Sequence, residues 1–237
     1  MKILILLFAI ISSTNVYSNN NIVEYNYSDF TLWINCSERM ATKFEFITKK
    51  DLGNYPRLNS FHFDKTVPLV CQQKSIKSYG SLYDRGHLVS SNQTDSTILS
   101  EYESFNITNV LPQTKELNRG AWLQTERITE CYRDLTELHV YGGVILNKVR
   151  AKDLFQKDWG IKTPNYFWKV IIDEPNKRNI AWVFPNSITA TAKNIDKFIV
   201  SIDIINTKTG EHIKTKNSRT DTIEKTTWLL PNNCKSD

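Results

Sequence analysis

Tyr83-Asp84-Arg85-Gly86-His87-Leu88-Val89-Ser90-Ser91-Asn92-Gln93 places a carboxylate, a guanidinium and an imidazole within four consecutive positions, and a carboxamide-rich stretch follows between Asn109 and Asn118. Water attacks a phosphodiester slowly unless a base with a pKa near neutrality removes its proton. The attack also needs a cation to take up charge on the leaving oxygen and a fixed donor to hold the phosphate. His87, a hard oxygen site at Asn118 and Arg85 are residue types that supply all three. The pattern therefore points to metal-assisted phosphodiester hydrolysis.

Two blocks extend this reading. The first is Asp84-Arg85-Gly86-His87-Leu88; the second runs from Phe105 through Asn109 and Gln113 to Leu117-Asn118-Arg119-Gly120-Ala121-Trp122 and ends at Glu126. Asn118 follows His87 by 31 positions and Glu126 follows Asn118 by eight. In these blocks the chain resembles the DNA/RNA non-specific endonucleases of the ββα-metal group. Weaker similarity reaches upstream to Arg57 and downstream through Val140-Tyr141-Gly142-Gly143 and Pro164-Asn165-Tyr166-Phe167-Trp168-Lys169. The resemblance implies an α+β fold with a central antiparallel sheet and helices packed against it. It also implies Mg²⁺ as cofactor with Mn²⁺ as a substitute, DNA and RNA as substrates, and 5′-phosphate ends.

The same resemblance distributes roles. His87 is the expected general base, with an unperturbed imidazole titrating near pH 6.5. Asn118 is the expected direct ligand of the cation, because a neutral carboxamide oxygen anchors a hard ion while leaving most of its octahedron to water and phosphate. Asp84 is expected to hold either a water of the cation or a neighbouring arginine, and Glu126 is assigned to the cation through water, eight residues after Asn118. If the segment between them is α-helical, Glu126 lies about 12 Å beyond Asn118 with an offset of roughly 80°, so the two do not share an inner shell. Arg85 and Arg57 are the expected phosphate clamps, since a guanidinium offers paired donors and keeps its charge. Asn109 and Gln113 are supporting residues that fix the loop beneath the cation. Trp122 is either a stacking surface for bases or, more commonly for a helix tryptophan, part of the core. His62, His139 and His212 lack such a context and read as structural. One departure stands out: many relatives place an arginine one turn after the helix glutamate, whereas this chain has Glu130 there, with Arg127 and Arg133 on either side. Which helix arginine meets substrate stays open.

At 237 residues the chain is long enough for one domain with a substantial core. Residues 1–18, with Lys2 ahead of the apolar run Ile3 to Ile11, read as a secretory signal peptide, leaving 19–237 as a single nuclease domain that starts near Asn19 and is not stably inserted in a membrane. Four cysteines, Cys36, Cys71, Cys131 and Cys234, form no Cys-x-x-Cys pair. In an exported chain they tend to oxidise, with three pairings open. The net charge of +5 suits a polyanionic substrate without requiring one. Sequons begin at Asn26, Asn35, Asn92 and Asn106, and a glycan at the last two would crowd the motif, which favours a secreted or periplasmic bacterial setting. Two other functions stay open: an exported nucleic-acid-binding protein with little or no turnover, and a phosphodiesterase for small or lipid phosphodiesters. An inhibitor protein and the oligomeric state are likewise open.

Hydrophobic patterning predicts strands over 30–35, 43–48, 105–110, 138–146, 167–173 and 179–184, a principal helix over 115–135 and a short one near 202–207 ended by Gly210.

Overall fold

The structure, a computed structural model, describes residues 21–51, 55–147, 155–232 and 234. The expected signal peptide lies outside the described residues. Nine strands and three α-helices follow in chain order. They are β1 (Ile22–Asn26), β2 (Thr31–Asn35), β3 (Met40–Ile47), β4 (Tyr83–His87), α1 (Ile98–Ser104), β5 (Val110–Thr114), α2 (Leu123–Arg133), β6 (His139–Ile145), β7 (Tyr166–Asp173), β8 (Arg178–Pro185), β9 (Ile199–Val200) and α3 (Ile202–Thr209). Seven strands form one antiparallel sheet in the order β1-β2-β3-β6-β7-β8-β9, and β4 and β5 form a separate antiparallel ribbon.

The alternation of side chains along β7 explains how the layers assemble. Phe167 and Ile171 join the core beneath α2, while Trp168, Val170 and Ile172 face the other way and pack with Ile202 and Ile205 of α3. Burial on both faces leaves no polar stripe, so this strand reads as a continuous apolar run. On the α2 side, Trp122 meets the rings of Phe44, Phe167 and Phe184 edge-on at 5.7–6.3 Å. Each phenylalanine there is fully buried, a contribution of about 1.5–3 kcal/mol relative to exposure. Trp122 is thus a core residue and offers no face to a base.

Two expectations are corrected. Residues 105–110 are not a strand: a 3₁₀ turn, Ile107–Asn109, intervenes and β5 begins at Val110. The turn is held by the Asn109 side chain, which donates to the Val89 and Ser104 carbonyls and accepts from the Val89 amide. Those contacts satisfy the backbone where a ladder would otherwise be needed. The principal helix is also not uniformly α: Leu117–Trp122 is a π-helical turn, with Gly120 at φ −116°, ψ −105°. Gly120 sits there because its Cα faces the backbone of Ala190, Thr191 and Ala192; a Cβ would approach those atoms to 3.0–3.2 Å. The short helix ends at Gly210 as expected, at φ 78°, and Ser201 caps its start.

All four cysteines are paired, Cys36 with Cys71 and Cys131 with Cys234. The second bridge ties α2 to residue 234. Among the described residues no helix is long and apolar enough to cross a membrane.

Candidate active site

The β4-β5 ribbon and the helical segment behind it build one cleft of about 810 Å³, and it gathers Arg57, Asp84, Arg85, His87, Asn118 and Glu126 on its walls. In the ribbon, Asp84 pairs with Gln113, Arg85 with Pro112, and His87 with Val110. Strand alternation turns Arg85 and His87 to one face and Asp84 and Gly86 to the other. Gly86 is needed because the Gln113 side chain lies where its Cβ would be, at 2.3–2.7 Å.

His87 is 8 % exposed. Its imidazole packs against the rings of Phe61, at 5.3 Å, and Phe105, at 5.1 Å, which also touch each other, and its buried Nε2 has no hydrogen-bond partner. Burial, with the nearby Arg57 and Arg85 charges, lowers its pKa from 6.5 to about 3. The sequence expectation of an unperturbed imidazole is therefore corrected. The ring is neutral across the physiological range.

Arg85 stacks on Phe61, with Cζ 4.2 Å from the ring centroid, and donates one Nη1 bond to the Ile76 carbonyl. The rest of its fork is available to an anion. Arg57 lies over Phe105 at 5.6 Å and donates to Asn59 Oδ1. Its segment is held by buried Glu101 of α1, which accepts from the Leu58 amide.

Across the cleft, Asp84 is fully engaged. Arg119 donates to it through Nε at 2.7 Å and Nη2 at 2.8 Å, and Asn118 donates through Nδ2 at 3.0 Å. Burial pushes the Asp84 carboxyl up, but these bonds outweigh it and hold the group below its ordinary value. With Nδ2 committed to Asp84, the remaining end of the Asn118 amide is its acceptor oxygen.

Glu126 stands half-buried in the same cleft as Asn118, although a uniform α-helix would offset them by roughly 80°. The π turn between them invalidates that count. Burial raises the Glu126 pKa, opposed by Lys169 and Arg57. Lys169 of β7 is itself 1 % exposed, its Nζ 3.8 Å from the Trp122 ring, and burial lowers its pKa while Glu126 opposes the shift. The carbonyl of Glu126 is fastened to the loop after β4 by Gln93 Nε2 at 2.9 Å.

The remaining expected residues lie elsewhere. Asn109 is buried beneath the Val89 loop rather than in the cleft, and Gln113 is buried behind Gly86. Arg133 is committed to Asp51, Asp95 and the Asn92 carbonyl, whereas Arg127 and Glu130 line the cleft. His62 stacks on Tyr102 and does not line the cleft, nor do His139 and His212. Asn106 is 4 % exposed, so the folded chain has no room for a glycan there. Sequence reasoning gave no role to Phe61, Arg119 or Lys169. The signal for Lys169 was present, as a lone charge inside Phe167-Trp168-Lys169-Val170-Ile171.

Comparison with known proteins agrees with this architecture. Residues 10–221 match the DNA/RNA non-specific endonuclease family. The chain belongs to that family. A nuclease of Nostoc sp. strain PCC 7120 is 31% identical over 172 residues, covering 67% of this chain and 61% of the relative. Bovine mitochondrial endonuclease G is 27% identical over 164 residues, covering 63% of this chain and 54% of the relative. The chain thus spans only about half to three fifths of these relatives. Among solved structures, that of an EndoG/EndoGI complex superposes with a TM-score of 0.66 at 19% identity, covering 79% of this chain and 83% of the other. This supports the ββα-metal nuclease fold.

Proposed function

We propose that the chain is an exported, Mg²⁺-dependent endonuclease that hydrolyses phosphodiester bonds in DNA and RNA. The observation that carries the reading is the neutral imidazole of His87 on the wall of the same cleft as the Asn118 amide and the Glu126 carboxylate, with Arg57 and Arg85 beside it.

The donors suit a hard, hydrated cation. Among the described residues no group of three or more His, Cys, Asp or Glu side chains could hold a metal, so a site built from several charged protein ligands is absent there. Asn118 instead offers one neutral oxygen, with Glu126 on the wall of the same cleft as the acceptor for surrounding waters, which matches the reluctance of Mg²⁺ to dehydrate. When bound, the cation would supply charge compensation for the leaving oxygen. Mn²⁺ fits the same oxygen donors.

The chain's own residues do the rest. Arg57 and Arg85 take the non-bridging oxygens of the phosphate. Burial is the main cause of the low His87 pKa, and the anion offsets the two positive charges that add to it, so substrate binding raises the basicity of the imidazole in part. The His87 imidazole then accepts the proton of the attacking water, and the two phenylalanine rings hold it in place. Nothing in this chemistry uses a ribose hydroxyl, so both DNA and RNA are accepted. Two disulfides support folding in an oxidising compartment, and the reading of residues 1–18 as a leader and 19–237 as one domain accords with export.

Incubation of the full chain with plasmid and with RNA, in Mg²⁺, in Mn²⁺ and in excess chelator, tests the proposal. Cleavage confined to the metal-containing samples, weakening as salt rises and leaving 5′-phosphates, is expected. Binding without cleavage in every metal sample would point to the nucleic-acid-binding alternative, and turnover only of chromogenic diesters to the small-substrate one.

A further inference from the structure

The three partners of the cleft's polar wall are arranged in a way that the family roles leave unexplained. Asp84 uses both oxygens on Arg119 and gives Oδ2 also to Asn118 Nδ2. A carboxylate can only accept, and Arg119 can only donate, so the contact has one permitted sense: the amide nitrogen of Asn118 must face Asp84. An unassisted asparagine has no such preference, because its oxygen and nitrogen ends are nearly the same shape. A cation discriminates absolutely between them, since the nitrogen end has no lone pair to offer.

We infer that Asp84, locked by Arg119, is the positioning residue that turns the Asn118 carboxamide oxygen into the cleft. This rests on the proposal that Asn118 is the cation's ligand. The bidentate grip of Arg119 fixes the plane of the Asp84 carboxylate. The π turn carrying Asn118 and Arg119 is in turn held by the close approach of Gly120 to residues 190–192, and by the Ala121 amide donating to the Ala190 carbonyl. Asp84 therefore acts on the cation through Asn118, not through the cation's waters. Arg119, 65 % exposed at its side chain, acts one step further back, and its charge is spent on Asp84 instead of on nucleic acid.

A pair of backgrounds separates this from a carboxylate that holds water. Asn118→Asp replaces the amide with a group whose two ends both accept, so orientation no longer matters. Mn²⁺ binding to the full chain is measured by electron paramagnetic resonance and calorimetry without nucleic acid, alongside melting temperature. In the Asn118 background, Asp84→Ala is expected to weaken Mn²⁺ binding by about 10- to 100-fold. In the Asn118→Asp background the same change removes a like charge from beside the new carboxylate, so it should not weaken Mn²⁺ binding, a strongly non-additive cycle. Asp84→Asn, which keeps the shape of the side chain and so guards against misfolding, offers Asn118 both a donor and an acceptor and should show the same background dependence. Equal losses in both backgrounds would overturn the inference and return Asp84 to the cation's water shell. A chain with native Asn118 and Asp84 that binds no Mn²⁺ would overturn the proposed metal site as well. Arg119→Met that leaves Mn²⁺ binding intact but lowers the salt dependence of DNA binding by about one unit would make Arg119 a phosphate contact and defeat its part of the assignment.

Discussion

The two walls of the cleft satisfy their polar groups in opposite ways. On one, His87 is packed against Phe61 and Phe105 and its buried Nε2 is left without a partner. On the other, Asp84, Asn118 and Arg119 form a closed set of hydrogen bonds. A buried polar atom without a partner is costly, and a native structure keeps one where it serves a purpose. The difference teaches that the groups have different tasks: one must be ready to receive a proton, the other must hold still. A base bonded in the resting state would first have to break that bond, and a neutral ligand left to rotate would present its wrong end part of the time.

The most severe test of the contrast is His87→Ala. It removes the proposed base and should lower turnover by about 10²- to 10⁴-fold, with DNA binding and melting temperature close to the parent. Steady-state cleavage against Mg²⁺ concentration checks it; recovery at high Mg²⁺ would mean that His87 belongs with the ligands. On the polar wall the response should be of a different kind. Asn118→Ala and Glu126→Ala are each expected to cost about 10- to 100-fold, but part of the Asn118→Ala loss should return as Mg²⁺ is raised. The Mg²⁺ concentration giving half-maximal rate is the quantity to measure, and an unchanged value for Asn118→Ala would erase the distinction between the walls.

A smaller effect is expected from Gly120→Ala. The added methyl group meets the backbone of residues 190–192 at 3.0–3.2 Å, and overpacking of that kind costs about 1–3 kcal/mol. Urea denaturation should show the loss, together with weaker cation binding, because the turn that carries Asn118 must shift. Unaltered stability would show that the turn has room to give.

The mildest test concerns pH. The folded pKa of His87 is depressed from 6.5 to about 3, so between those values the unfolded chain binds more protons at this residue than the folded one. The contribution of His87 to stability is therefore complete above about pH 6.5 and is lost progressively as pH falls toward 3. A His87→Asn variant should lose less melting temperature than the parent over that window. Parallel curves would indicate an imidazole that is better solvated than its surroundings imply.

Much of this was legible in the sequence, and the exceptions share a cause. The strands of the sheet interior and the C-terminal end of α3 followed from apolar runs and Gly210. β1 escaped because it is an edge strand with four of its five residues exposed, so no inward face constrains its pattern. α1 escaped for the opposite reason: Ile98 and Leu99 are exposed while Ser100, Glu101 and Ser104 are buried, which inverts the usual amphipathic signal. Its capping box, Thr97 with Ser100, was the available cue. At the site, the motif residues collected in the cleft could be named in advance because their chemistry is local. Arg119 and Lys169 could not, since their roles depend on partners that only the fold brings near: Asp84 for one, Glu126 and the Trp122 ring for the other.

The π turn also bears on how the length of this chain can drift. An ordinary helix tolerates sequence change at constant length, and loops tolerate gain or loss of residues. The stretch from Asn118 to Glu126 tolerates neither freely. Removing one residue there rotates everything downstream by about 100°, carrying Glu126 off the cleft, Gln93 off its carbonyl and Cys131 away from Cys234. The count of eight positions between the two acceptors is therefore itself a functional feature, recorded in the numbering rather than in any side chain.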